Sequence, residues 1–323
     1  MILDFLDSSL DGDSWEKLCV SCYTMRYQKD HFQEVPAQYK GDGGIEGFTH
    51  SGVVIQCYCP EDNNYSNDDL YSHQRTKVTN DIGKFIDEKN AEVLKSFGLP
   101  CIKEWHFVVP EYKDRRIIEH IAKKIKLVRQ YKESNPEFYD YISKDFIIVI
   151  KTAEDFRLEL TRIIRSNLTD TKLSLAILQD PSVDWSSSPI DKVANVKRKL
   201  VAINPELIND VDSLNTLLDI YMSAYISGIE IMERLGEGFP DIRNDILDLA
   251  NQYKRQVQSK TLLNSDKSMN GKVFEEISND FEAKLIKEFK HINSASIMNL
   301  KINLIAAWLA DCSMEFKGEL KNG

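Results

Sequence analysis

The chain has 323 residues, 42% of them hydrophobic and 28% charged, and a formal net charge of −10 at pH 7. That composition belongs to a globular protein with ample apolar material for a core, and the length suits roughly two domains of about 150 residues each. The acidic total excludes a purely electrostatic nucleic-acid coat, although not a local basic groove.

Residues 13–29 (DSWEKLCVSCYTMRYQK) predict a helix. Asp13 or Ser14 caps it, and Trp15, Leu18, Cys19, Cys22 and Met25 recur at helical spacing. Residues 31–39 read as extended, broken by Pro36, and Gly41-Asp42-Gly43-Gly44 predicts a turn that needs positive φ. Residues 45–49 and 53–59 predict two strands joined by Thr49-His50-Ser51-Gly52 as a hairpin. One long helix is expected over 66–96, and a buried-type strand over 104–109 (EWHFVV), closed by Pro110. A basic helix follows over 112–132, then a second buried-type strand over 144–150 (KDFIIVI). By alternation, residues 1–165 form an α/β domain with a mixed central sheet flanked by helices.

Beyond this the character changes. Residues 166–190 read as a linker region, Pro/Ser-rich from 181 onward, and residues 191–323 as an all-α domain. Helices are expected over 191–202, 205–235, 240–262, 270–291 and 294–316. Pro205 and Pro240 sit at helix starts, and Gly236 and Gly238 at a stop. An apolar stripe runs through Leu218, Met222, Ile226, Ile229 and Met232. Ile302, Ile305, Ala306, Trp308 and Leu309 make a strongly apolar helix that is either core or a partner-binding surface.

No apolar run approaches the roughly 18–20 residues of a membrane helix, and the acidic start lacks the basic region of a signal peptide. Six cysteines are too sparse for a disulfide framework, so a reduced, cytoplasmic chain without a membrane partner is expected. Cys19, Cys22, Cys57 and Cys59 read as core thiols rather than zinc ligands, because neither pair sits on a knuckle.

Charge is unevenly spread. Residues 1–70 carry 4 basic and 13 acidic side chains, whereas residues 71–132 carry 14 basic and 8 acidic ones. An acidic stretch beside a basic one suits a cation site next to a surface that grips phosphates.

The informative segment is 41–59, GDGGIEGFTHSGVVIQCYC. Asp42 lies in the glycine turn, Glu46 on the strand after it, and Gln56 and Tyr58 on one face of the next strand. A hairpin brings Glu46 and Gln56 together, and Glu16 on the preceding helix is placed to complete a set of oxygen donors for a hard divalent cation.

An acid, a hairpin and then Gln-x-Lys is the signature of restriction-endonuclease-like, PD-(D/E)xK nucleases. The GDGGIEG–QCY version resembles the Mrr-type branch and the effector nuclease domains of bacterial anti-phage systems such as CBASS and Lamassu. The resemblance covers residues 13–150. It implies a nuclease in which Asp42, Glu46 and Gln56 hold Mg²⁺ (Mn²⁺ as a substitute), with Glu16 nearby, and double-stranded DNA as substrate. It also implies an effector subunit, an oligomer when active, docked through its helical region onto a larger complex containing an SMC-like ATPase. Two departures stand out: the usual strand aspartate is Glu46, and the usual lysine is Tyr58. Some nucleases of this kind move the lysine to a helix, and Lys77 is the leading candidate for that role, with Lys84 second. Arg116 and Lys123 of the basic helix, together with Lys84, are the expected DNA contacts. The alternative is a nuclease fold that has lost catalysis and binds DNA or scaffolds a complex.

Overall fold

The computed structural model describes residues 2–6, 11–36, 43–60, 65–168, 171–176, 188–311 and 314–316. Two compact units divide the chain, Ser8–Thr169 and Met1–Asp7 with Asp170–Gly323. The first seven residues therefore group with the helical unit, whereas the sequence pattern assigns them to the α/β half.

The first unit holds a five-stranded mixed sheet flanked by helices. In chain order it runs α1 (Gly12–Arg26), β1 (Gln33–Glu34), β2 (Gly47–Phe48), β3 (Val53–Cys57), α2 (Asn67–Phe85), α3 (Glu88–Ser96), β4 (Ile102–Val108), α4 (Arg116–Ser134), β5 (Ile142–Lys151) and α5 (Arg157–Arg165). Spatial order follows chain order, with β1–β2 and β2–β3 antiparallel and β3–β4 and β4–β5 parallel. The two parallel steps cross over through helices, as parallel pairing requires.

Local chemistry sets the boundaries. Asp11 caps α1 by accepting from the Ser14 amide at 2.8 Å, and Ser66 caps α2 by accepting from the Asp69 amide. The hairpin turn is closed by the Thr49 amide donating to the Val53 carbonyl, with the Val53 amide donating back to Thr49 Oγ1. The single helix expected over 66–96 is two helices. Asp87 accepts from the Lys89 and Asn90 amides and starts α3. The Tyr139 and Tyr141 hydroxyls donate to the carbonyls of Ile86 and Phe85, satisfying the orphan end of α2. Strand β5 is the sheet edge rather than a fully buried strand: Phe146 and Ile148 point into the core, while Ile147 is exposed.

Alternation along the strands builds two layers. Val54, Trp105, Phe107, Phe146 and Ile148 pack with Val78, Ile82 and Phe85 of α2 and Ile117, Ile121 and Val128 of α4. On the opposite face Trp15 of α1 donates through Nε1 to the Val108 carbonyl, and Tyr23 packs on Phe156. Here His106 is fully buried between the Tyr23 hydroxyl at Nδ1 (2.7 Å) and Glu104 Oε2 at Nε2 (2.8 Å). Burial lowers the His106 pKa, and the Glu104 hydrogen bond only partly opposes this. The neutral form is thus favoured on folding. Stability from this site is complete above the unfolded pKa near 6.5 and is lost as pH falls below it, because only the unfolded chain takes up the proton readily. Relative to His106→Gln, the wild-type urea midpoint is expected to lose ground between pH 7 and pH 5.5, the difference isolating His106 from the other titrating groups.

The second unit is helical: α6 (Ile190–Ile203), α7 (Val211–Gly238), α8 (Pro240–Leu263), α9 (Asn270–Glu288) and α10 (Ser294–Ala310). Pro205 opens a short 3₁₀ turn rather than the long helix, which Asp210 caps. Helix α7 runs through Gly236 and ends at Phe239, and Pro240 starts α8. The buried face of α7 is Leu214, Leu218, Met222, Ile231 and Leu235, so the predicted stripe turns outward after Met222 and Ile229 is exposed. The apolar α10 is core: Ile305, Ala306, Trp308 and Leu309 are buried, with Trp308 against Phe281. Buried Lys199 donates to the carbonyls of Trp308 (3.3 Å) and Leu309 (2.5 Å), placing a cation at the negative end of α10. Within the expected linker, residues 171–176 are described, and Leu173 bridges to Leu6 and Ile292. No helix among the described residues is long and apolar enough to cross a membrane.

Candidate metal and catalytic centre

The site forms where the antiparallel β2–β3 pair meets α1 and α2. Glu46 lies one residue ahead of β2, yet its backbone is already in the ladder: its amide donates to Ile55 and its carbonyl accepts from Val35. Its side chain is 7% exposed. Oε1 accepts from Gln56 Nε2 at 2.5 Å and Oε2 from the Cys57 amide at 2.6 Å. The hairpin thus does what the spacing predicts and joins Glu46 to Gln56.

Burial pushes the Glu46 carboxyl up to about 8. The negative charge of Glu16 adds to the rise, while the Cys57 thiol and amide and the Lys77 ammonium oppose it. Those couplings place Glu16 of α1 and Lys77 of α2 within electrostatic reach of Glu46. The thiol contribution also shows that Cys57 lies against the carboxylate. Cys19, Cys22, Cys57 and Cys59 are all buried and outside any disulfide.

Gln56 is fully buried, and its Oε1 has no hydrogen-bond partner among the described residues. An orphaned buried carbonyl costs about 1–3 kcal/mol. A hard cation shared between this oxygen and Glu46 would meet that need, and Glu16 adds a second carboxylate. Oxygen donors of this kind suit Mg²⁺ and Mn²⁺. The donor set therefore fits the ion, with an amide as one of its members. No group of three or more His, Cys, Asp or Glu placed for a metal occurs among the described residues. Asp42 lies outside the described residues.

Helix α2 supplies the positive charge. Lys77 Nζ is 3.1 Å from Asp81 Oδ2, and Lys84 Nζ is 3.3 Å from Asp81 Oδ1. Asp81 is itself buried. Both lysine candidates thus converge on one carboxylate that the sequence pattern does not single out. The signal available was the i, i+4, i+7 spacing of Lys77, Asp81 and Lys84 on a helix whose neighbouring positions, Val78, Ile82 and Phe85, are core.

The glycine turn lets α2 come this close. Gly44 has φ +82°, and a Cβ there would lie 2.3 Å from the Asp81 carbonyl oxygen. Trp105 Nε1 donates to the Gly44 carbonyl from the sheet below. Gly44→Ala is expected to destabilise the first unit by about 2–4 kcal/mol, combining left-handed strain with a backbone clash. A fall in urea midpoint measures this, and Gly98→Ala, with positive φ but open space, is the milder control.

Tyr58 occupies the position of the usual lysine. Its ring is stacked on Phe107 with centroids 6.4 Å apart and planes 11° from parallel. Arg116 is partly exposed, pairs with Asp114 (2.5 Å) and with the exposed Asp68, and lies 4.4 Å over the Tyr71 ring. Lys123 is exposed on α4, facing the groove between α4 and α2.

No family model, no curated protein and no solved structure matches the chain.

Proposed function

We propose that the first unit is a restriction-endonuclease-like nuclease that hydrolyses phosphodiester bonds of double-stranded DNA with Mg²⁺, Mn²⁺ serving as a substitute. The observation that carries this reading is the buried Glu46–Gln56 pair on adjacent antiparallel strands, with one amide oxygen unpartnered and a lysine-bearing helix above it. A mixed sheet whose antiparallel hairpin leads through helices into parallel strands is the architecture such a nuclease needs.

Glu46 and Gln56 would hold the cation, with Glu16 at its margin. Bound there, the cation supplies charge neutralisation at the scissile phosphate and a more acidic water. The chain's own residues do the rest. Lys77, steadied by Asp81, directs its N–H bonds at a phosphate oxygen or the attacking water and adds positive charge where negative charge develops. Asp81 is a positioning residue for that ammonium. Tyr58 contributes a phenol held by stacking on Phe107 and brings no positive charge. The cover of α1 and α2 keeps bulk water from Glu46, which strengthens each of these interactions.

By the resemblance of the 41–59 segment to anti-phage effectors, the nuclease would be a defence subunit, and the helical unit would dock an ATPase-containing complex or a second copy. A second reading, a nuclease fold without catalysis, is favoured by Tyr58 in the lysine position and by the Lys77–Asp81 ion pair. Incubating the full chain with supercoiled plasmid separates the two. Nicked and linear products in Mg²⁺ but not in EDTA support the nuclease.

A further inference from the structure

A second feature lies on the other side of α2. Between α2 and α4 a cavity of about 590 Å³ is lined by Arg75, Lys123, Lys124, His120, Tyr71 and Arg116, among others. That volume is within the usual range for a ligand site. Most such sites are apolar, and this one is dominated by cations. The carboxylate among its lining residues, Glu119, faces Arg115 at 3.9 Å, and Arg116 is taken up by Asp114 and Asp68. Arg75, Lys123 and Lys124 form no ion pair within 4.0 Å among the described residues, although Glu119 lies one turn from Lys123.

The local field registers on the groups inside. His120, hydrogen-bonded to Thr79 Oγ1 at 2.9 Å, is pushed down to about 4 by burial and by Lys124, Arg75 and Lys123. Burial and the neighbouring Arg75 likewise lower Lys124. Like charges held together without counter-ions are a standing cost, and a multivalent anion removes it. Arg75 offers a planar fork suited to phosphate oxygens, the two lysines offer point charges, and neutral His120 offers a hydrogen bond. Tyr71, already under Arg116, gives the cavity one aromatic wall.

We propose that the α2–α4 cleft is a phosphate-binding site in which Arg75, Lys123 and Lys124 hold the phosphate oxygens. The phosphate belongs either to the DNA backbone or to a free polyphosphate. The backbone case rests on the nuclease reading and makes α2 the shared wall of the catalytic centre and the duplex grip. The free-polyphosphate case does not depend on cleavage.

The test uses the full chain, wild type and Arg75→Gln/Lys124→Gln, with Lys123→Gln as a second variant and thermal melts to establish folding. Two probes are titrated in EDTA: a short fluorescent duplex and inorganic tripolyphosphate. The double variant is expected to bind its phosphate source at least 10-fold more weakly. For the duplex, the slope of log affinity against log salt should also shallow by about 0.9 for each phosphate that the variant leaves unneutralised. Weakened duplex binding assigns the site to backbone phosphate. Weakened tripolyphosphate binding with duplex affinity unchanged assigns it to a free polyphosphate. If folded wild type and variants hold both probes equally, or hold neither, the proposal is overturned. Should wild type still cleave plasmid in that case, the nuclease reading stands without it.

Discussion

Replacing Glu46 by Gln is expected to lower Mg²⁺-dependent DNA cleavage on the order of 10³-fold or more while making the metal-free protein more stable. The two effects share one cause. The carboxylate is buried, raised to about 8, and opposed by Glu16. On the proposed reading, its charge is a cost that a bound cation would offset. An amide at position 46 keeps one oxygen for the Cys57 amide. After Gln56 turns its own amide over, the new NH₂ donates to Gln56 Oε1 and the Gln56 NH₂ takes the position that has no partner among the described residues, so the gain comes from the removed charge rather than from added hydrogen bonds. The gain depends on pH with a definite sign. Between the ordinary carboxyl value of 4.5 and about 8 the folded wild type keeps a proton that the unfolded chain has released. The Glu46 share of wild-type stability therefore falls as pH rises through that window, and the advantage of Glu46→Gln grows up to about pH 8 and then levels. In EDTA at pH 8 we expect about 1–3 kcal/mol, a rise of several degrees in melting temperature. Glu46→Ala loses cleavage equally but leaves the Cys57 N–H and the Gln56 amide without acceptors, so it gains no stability. Thermal melts from pH 5 to 9 beside plasmid-conversion rates read both effects.

The second large effect is at Lys77. Lys77→Ala is expected to slow cleavage by about 10²-fold, close to 2.7 kcal/mol of transition-state stabilisation. Lys77 is the lysine whose charge reaches Glu46, and its side chain is held by a buried carboxylate. Lys84 shares Asp81 but is about half exposed, so Lys84→Ala should cost no more than a few-fold. Asp81→Asn keeps a polar group at the spot but releases both ammonium groups. It should therefore lower the rate without abolishing it, and change its dependence on salt more than Lys84→Ala does. Tyr58→Phe keeps the ring on Phe107 and should leave the rate within a few-fold. A 10²-fold loss from Tyr58→Phe with Lys77→Ala unaffected would transfer the role to the phenol. Initial rates at saturating Mg²⁺, with melts to establish folding, distinguish these outcomes.

Much of the fold was legible in the sequence because it is written in local chemistry. Alternation named the strands, Thr49-His50-Ser51-Gly52 named the hairpin, and these sufficed to place Gln56 beside Glu46. What could not be read required knowing what lay across a gap. The break between α2 and α3 depends on Tyr139 and Tyr141 arriving from fifty residues away to take the last carbonyls of α2. The local clue was Asp87 as a cap, and it is lost inside a strongly helical stretch. The burial of Asp81, a polar position on α2, depends on the glycine turn that presses against it, and helical spacing alone does not reveal that approach. The pairing of Arg116 with Asp68, far off in sequence, is likewise invisible to local spacing. On α7 the periodic stripe holds at Leu218 and Met222 and then drifts, since the packing partners rather than the 3.6-residue period decide which face is covered along a 28-residue helix.

At the centre of the proposed mechanism, Glu46 and Gln56 form a cation site that drives phosphodiester hydrolysis. The most direct measurement follows conversion of supercoiled plasmid by the full chain over a concentration series in Mg²⁺, beside folded Glu46→Gln. Nicked and linear DNA are expected from wild type, none in EDTA, and none from the variant. Equal cleavage by wild type and Glu46→Gln, or cleavage that persists in EDTA, would contradict the cation site.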